Sequence, residues 1–214
     1  MNKTLEDARA RLKEKELDPS LANYLYDCIK EKKGSINEFN DGIEKIIKGI
    51  PVQYIVGNVD FYGYIINIDK NVLIPRFETE RLVELTIEKI NKKFKKPTIL
   101  DIGTGSGCIA ITLKKEIDCE VDAIDISDDA LKLARENAIN NDVKITFYKS
   151  NVLRNVSKKF DVIISNPPYL SEEDEVMDIV KNNEPHLALY AKNNGLYFYE
   201  EILKIVYIVL KAII

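Results

Sequence analysis

Thr98-Ile99-Leu100-Asp101-Ile102-Gly103-Thr104-Gly105-Ser106-Gly107-Cys108-Ile109-Ala110 reads as a buried strand, a glycine turn and the opening of an apolar helix. Gly103, Gly105 and Gly107 permit positive φ and let backbone come close to a ligand, with Thr104 and Ser106 between them. A dinucleotide-binding turn would follow G-x-G-x-x-G, and that frame puts Cys108 at the last glycine. Asp101, just ahead of the turn, is a poor neighbour for a pyrophosphate and a better one for a cationic or amino-bearing ligand. A plain strand-to-helix turn in any α/β domain would look similar.

The next strand, Glu120-Val121-Asp122-Ala123-Ile124-Asp125, ends in an acid 18 residues after Gly107. An acid at roughly 20 residues is placed to meet a ribose diol. Asp125 could instead cap the following helix, but Ser127 serves better there, with Asp128 and Asp129 favouring the helix N-terminus. A nucleoside is therefore expected, and nothing in the loop requires it to carry phosphates.

A third strand-like run, Phe160 to Ser165, stops at Asn166-Pro167-Pro168-Tyr169. Two prolines cannot continue a central strand, because neither offers a ladder N–H. The break presents an amide, two carbonyls and an aromatic ring at a strand end. That set suits the grip of a planar –NH2 group: Asn166 Oδ1 and the Pro167 carbonyl each accept one hydrogen, and Tyr169 stacks on the flat group. The other reading is a proline-rich turn with a structural asparagine.

From Pro97 onward strands near 98–102, 120–125, 143–148 and 160–165 alternate with helices at 107–116, 128–140 and 196–211. Alternation of this kind predicts an α/β, doubly wound, mainly parallel sheet of Rossmann-like type, with ligands at the carboxyl ends of its strands. Arg76 to Lys93 reads as a helix, with Val83, Ile87, Ile90 and Phe94 on one face. Residues 51–75 read as β-type runs forming a hairpin linker, and residues 1–50 as helical. There, Asp18-Pro19 and the capping box Ser35-Ile36-Asn37-Glu38 are helix starts.

Together these features resemble class I S-adenosylmethionine-dependent methyltransferases. Pro51-Val52-Gln53-Tyr54-Ile55-Val56-Gly57, Phe61-Tyr62-Gly63 and Leu73-Ile74-Pro75-Arg76-Phe77-Glu78-Thr79-Glu80 narrow the likeness. With Glu184-Pro185-His186-Leu187-Ala188-Leu189 and Gly195-Leu196-Tyr197-Phe198-Tyr199, they resemble release-factor glutamine methyltransferases, the HemK/PrmC family. The resemblance implies S-adenosyl-L-methionine as cofactor, held by Gly103, Thr104, Gly105, Ser106, Gly107, Asp125, Asn151, Val152 and Asn166. It implies that Asn166, Pro167, Pro168 and Tyr169 receive a glutamine carboxamide, with Asn166, Pro167 and Tyr169 as the catalytic set. The implied activity is N5-glutamine methylation of a peptide chain release factor in its Gly-Gly-Gln loop. The implied layout is a substrate-docking domain at 1–50, the hairpin linker at 51–75 and a methyltransferase domain at 76–214. Phe77 stands where the family usually has proline, and Asn151-Val152 where it commonly has an acid and a larger residue. Family members continue past Lys211-Ala212-Ile213-Ile214 with a fifth strand and a final strand pair, so the last domain is expected to be incomplete.

With 31 Lys+Arg against 35 Asp+Glu the chain carries a net charge of −4, which attracts no nucleic acid in bulk. This bears on the nearest rival, N6-adenine methylation of nucleic acid, which grips a flipped base similarly and calls for a basic recognition region. A non-catalytic, truncated remnant is the other rival. Cys28, Cys108 and Cys119 have no metal-ligand spacing and read as free thiols of a reducing compartment, Cys108 as a packing residue. The polar N-terminus lacks signal-peptide character, and no apolar run reaches the ~20 residues of a membrane span. A cytoplasmic protein without metal is the expectation.

Overall fold

The computed structural model describes residues 2–211, which divide into two compact units. One comprises residues up to Asn58 together with Val176–Asn183. In it lie α1 (Asn2–Glu14), α2 (Ser20–Glu31), α3 (Ile36–Ile47) and α4 (Val52–Val56), plus a short helix at Asp178–Asn183. Helix α2 starts where Asp18 accepts hydrogen bonds from the Ser20 N–H and hydroxyl, at 2.8 and 2.7 Å. Helix α3 starts where Ser35 Oγ accepts from the Glu38 N–H at 3.2 Å, half of the expected capping box. Leu12, Leu25, Phe39, Ile43 and Ile46 bury between the helices, with Tyr26 edge-on to Phe39. The Asn183 side chain donates to the Gly49 carbonyl at 2.8 Å, which ties the downstream helix into this unit.

Residues 52–56 form a helical turn rather than the expected extended run. Pro51 leads in, and Gly57 closes it in the left-handed region, φ +82°, its N–H donating to the Gln53 carbonyl at 2.7 Å. The hairpin itself is present as β1 (Asn58–Phe61) and β2 (Tyr64–Asn67), all but Asn58 in the second unit. Its two-residue turn, Tyr62-Gly63, has positive φ at both positions.

The second unit continues with α5 (Phe77–Lys93), β3 (Thr98–Ile102), α6 (Cys108–Glu116), β4 (Glu120–Asp125), α7 (Asp128–Asn140), β5 (Thr146–Lys149) and β6 (Val162–Ser165). After α8, the Asp178–Asn183 helix, come α9 (His186–Leu189) and α10 (Tyr197–Val209). The sheet order is β5-β4-β3-β6 with every pairing parallel, the expected doubly wound arrangement. Its sequence runs outward from β3 in one direction through β4 and β5, then returns to β6 on the other side. The switch point therefore falls between β3 and β6, where such sheets bind ligands. Leu100, Ile102, Ile124, Leu153 and Phe160 form the core beneath it.

Two strands start later than expected. Asp142 takes positive φ, and Val143 N–H donates back to the Ala138 carbonyl, so the end of α7 consumes the first residues assigned to β5. Phe160 leaves the ladder with β3 to pair on its other side, donating to the Val209 carbonyl and accepting from the Lys211 N–H, at 2.7 and 2.9 Å. Leu210 thus already lies parallel beside Phe160; residues 212–214, where the fifth strand is expected to begin, lie outside the described residues. Between α5 and α10 an apolar groove of about 520 Å³ is floored by Val162 to Ser165 and Pro167.

Candidate active site

Ile102 stands opposite Ser165 in the β3–β6 register, so Gly103 and Asn166 leave the sheet from adjacent strand ends. The Ser165 hydroxyl donates to the Ile102 carbonyl at 2.8 Å and locks the two ends together. The glycine loop and the asparagine motif, distant in sequence, therefore open at one place.

The loop is tied down from below. Both Gly103 and Thr104 N–H donate to the Ile124 carbonyl, at 2.9 and 3.0 Å. Asn137, fully buried on α7, holds its rim: Nδ2 donates to the carbonyls of Ser106 and Asn67, while Oδ1 accepts from the Asn67 N–H. The three glycines divide their work. At Gly103 and Gly105, both with positive φ, a β-carbon would meet nothing within 4 Å, so these two face open space. At Gly107 it would stand 3.2 Å from Ala134 Cβ, so this glycine serves close packing against α7.

Two carboxylates frame the loop. Asp101 is fully buried; Thr104 Oγ1 donates to its Oδ2 at 2.6 Å, while Oδ1 has no hydrogen-bond partner among the described residues. The Thr104 hydroxyl and the Ala110 N–H favour the charged form. Burial, reinforced by the negative charge of Asp125, pushes the Asp101 pKa up to about 7. Asp125 accepts the Gly105 N–H on Oδ2 and the Ser127 N–H on Oδ1, each at 2.9 Å, and burial raises its pKa despite these bonds. Ser127, as expected, caps α7 by accepting from the Ala130 N–H.

Asn151 is half-buried after β5, its carbonyl accepting from the Arg154 N–H. Val152 is 7% exposed and packs into the core cluster with Leu100 and Phe160. It has φ +52°, a strained conformation for a β-branched residue.

In the second motif Asn166 and Pro168 are half-buried, Pro167 is buried and Tyr169 is 59% exposed. Asn166 Nδ2 donates to Thr79 Oγ1 at 3.1 Å. The residues after the motif are clamped: Leu170 N–H donates to the Leu189 carbonyl and Ala191 N–H to the Leu170 carbonyl, at 3.0 and 2.8 Å. Gly195, with φ +82°, lies so close that a β-carbon there would come within 2.0 Å of the Tyr169 carbonyl oxygen. Glu184, its side chain 1% exposed, pairs with the Arg76 guanidinium and accepts from the Ile74 N–H. Thr79, Asn137 and the Gly195 clamp were not read from the sequence as site residues. Thr79, Arg76, Glu184 and Gly195 did fall inside the quoted stretches, and an acid before proline beside an upstream arginine was the available signal for the Glu184–Arg76 pair.

Among the described residues no cluster of three or more His, Cys, Asp or Glu could hold a metal, and no helix is long and apolar enough to cross a membrane.

Residues 80–188, just over half of the chain, match the methyltransferase small domain. The release factor glutamine methyltransferase of Streptococcus pneumoniae is 51% identical over 156 residues, covering 71% of this chain and 55% of that protein. That of Bacillus anthracis is 39% identical over 192 residues, covering 86% of this chain and 67% of that protein. A solved methyltransferase of Pyrococcus furiosus overlays with a TM-score of 0.49 at 22% identity, over 71% of this chain and 66% of that one. The chain thus spans between about half and two thirds of the length of these curated relatives. On the domain match and the relatives' identity, the chain belongs to the release factor glutamine methyltransferase family, within the methyltransferases of the small-domain type.

Proposed function

We propose that the chain moves a methyl group from S-adenosyl-L-methionine to the glutamine carboxamide in the Gly-Gly-Gln loop of peptide chain release factors. The observation that carries the reading is that Asn166 leaves β6 beside the glycine loop that follows β3, its amide nitrogen donating to Thr79 Oγ1. The family relatives carry the same activity in their names.

The residues present fit the cofactor. Open space over Gly103 and Gly105 admits a ligand against backbone, Thr104, Ser106 and Gly107 shape the loop, and the unpartnered Asp101 oxygen suits an amino group. Asp125 would take a ribose diol, Asn151 the adenine amino group with Val152 beneath, and Asn166 the reactive end. When bound, the cofactor supplies an electrophilic methyl on a sulfonium.

A carboxamide nitrogen is a weak nucleophile because its lone pair is delocalised. Asn166 Oδ1 and the Pro167 carbonyl would each accept one of its hydrogens, and Tyr169, exposed, would stack on the amide plane with Pro168 at its edge. Holding both N–H bonds aims the nitrogen, and positioning of this kind can supply roughly 7–11 kcal/mol in good cases. The two acceptors strengthen as positive charge develops on nitrogen. The product nitrogen then loses its proton readily to water, so no strong base is needed.

Residues 1–50 are read as the substrate-docking domain, 51–75 as the linker and 76–214 as the methyltransferase domain. We place the protein in the cytoplasm, with release factor as partner and no nucleic acid, metal or membrane. Mass spectrometry of release factor incubated with the chain and S-adenosyl-L-methionine tests the reading: one added methyl on the loop glutamine is expected. Methylation of adenine in DNA, with none on release factor, would overturn it.

A further inference from the structure

A left-handed backbone at a β-branched residue is rare, and it persists only where the surroundings over-determine it. Val152 holds one, with φ +52°, in the turn that follows β5. Burial of its side chain with Leu100 and Phe160 is one constraint. Ser150 supplies another.

Ser150 is 2% exposed and comes directly after the last residue of β5. Its hydroxyl donates to the Val152 carbonyl at 2.7 Å and accepts from the Asn155 N–H at 3.2 Å. Both partners are backbone groups that act in one sense only, the carbonyl as acceptor and the N–H as donor. One buried oxygen therefore bridges the turn across Val152. The N–H of Ser150 donates to the Asp125 carbonyl at 3.0 Å, which moors the turn beside the acid read as the ribose partner. Asn151 lies between these anchors, half-buried, its own carbonyl accepting from the Arg154 N–H at 3.3 Å. A left-handed step straight after Asn151 decides where that residue stands relative to Asp125.

We propose that Ser150 is a positioning residue for the adenine end of the cofactor site: its hydroxyl holds the Asn151-Val152 turn in the strained form that keeps both residues beside Asp125. The proposal rests on the reading of Asn151 and Val152 as the adenine contacts. Ser150 acts through the turn, since its hydroxyl is taken up by backbone. Without that hydroxyl the turn relaxes, and only the fraction that keeps the left-handed form binds, so apparent affinity falls by that fraction. Once cofactor saturates the site, the reacting end at Asn166 is unaltered.

The test uses S-adenosylhomocysteine as an unreactive probe in isothermal titration. Ser150→Ala should bind it about tenfold more weakly, as expected when a buried carbonyl and N–H lose their shared partner. Amide hydrogen exchange shows where the change lies. The Asn155 N–H should lose protection in the variant, while the N–H of residue 150, bonded to Asp125, should keep it. In methyl transfer to release factor, KM for S-adenosyl-L-methionine should rise by about the same factor, with kcat at saturation within about twofold of the parent. A merely structural serine would lower the melting temperature and leave the affinity of the folded chain unchanged, and that result would overturn the proposal. So would an unprotected Asn155 N–H in the parent, or a kcat that falls as far as the affinity. A parent that binds no S-adenosylhomocysteine would overturn the functional reading and the proposal with it. A parent that binds no more tightly than Ser150→Ala overturns the proposal alone.

Discussion

A β-carbon at residue 195 would stand 2.0 Å from the carbonyl oxygen of Tyr169, so Gly195 and Tyr169 share a space that only glycine leaves open. The obstructing atom is backbone and cannot swing aside. Because Tyr169 closes the asparagine motif, the turn before α10 sets where that motif ends.

Gly195→Ala should therefore lose stability by more than ~2 kcal/mol, from strain at positive φ together with the clash. Gly103→Ala is the contrast. Its β-carbon meets nothing in the folded chain, so it should cost only ~1 kcal/mol from φ +71° while weakening cofactor binding. Denaturant unfolding and isothermal titration on both variants check this. Equal stability losses, or undiminished cofactor affinity in Gly103→Ala, would contradict it.

Asp101 links the loop to pH. Its pKa is 3.8 in the unfolded reference and is raised to about 7 in the fold, mainly by burial. Between those values the folded state holds a proton that the unfolded state has lost. Stability from this group is thus full below about pH 4 and is lost as pH rises toward 7. Asp101→Asn cannot ionise, so the difference in unfolding free energy between variant and parent should shift in the variant's favour across that window. Parallel stability curves would rule the assignment out.

Asn137 makes three hydrogen bonds while fully buried, joining the cofactor loop at Ser106 to the hairpin at Asn67. Asn137→Ala leaves two carbonyls and one N–H unpartnered, so a loss of about 2–4 kcal/mol is expected. Hydrogen exchange at Asn67 should speed up in the same variant. A change below ~0.5 kcal/mol would show that water replaces the side chain without penalty.

The parallel sheet was legible because β3 and β6 are near-continuous apolar runs and β4 a shorter one around Ala123 and Ile124, ending in glycine, Asn-Pro and an acid, each a strong stop. Strand starts were less legible. Phe160 looks like ladder material for β3, yet its N–H faces the other side, a matter of register that no local pattern encodes. Pro51 and Gly57 bracket the helical turn at Val52–Val56, while the β-branched Val52, Ile55 and Val56 between them carry a β-type signal that hides it. Within the site, Asp101, Asp125 and Asn166 stood out because chemistry needs those side chains at strand ends. Thr79 and Asn137 did not, since a threonine and an asparagine on helices have ordinary surface roles, and only folding brings Thr79 to Asn166 and Asn137 to Ser106.

The most direct measurement is single-turnover methyl transfer to release factor by Asn166→Ala, alongside its thermal unfolding. The variant is expected to melt within a few degrees of the parent but to transfer at least ~100-fold more slowly, about 2.7 kcal/mol of lost transition-state stabilisation. A stable Asn166→Ala that methylates the loop glutamine at nearly the parental rate would contradict that expectation.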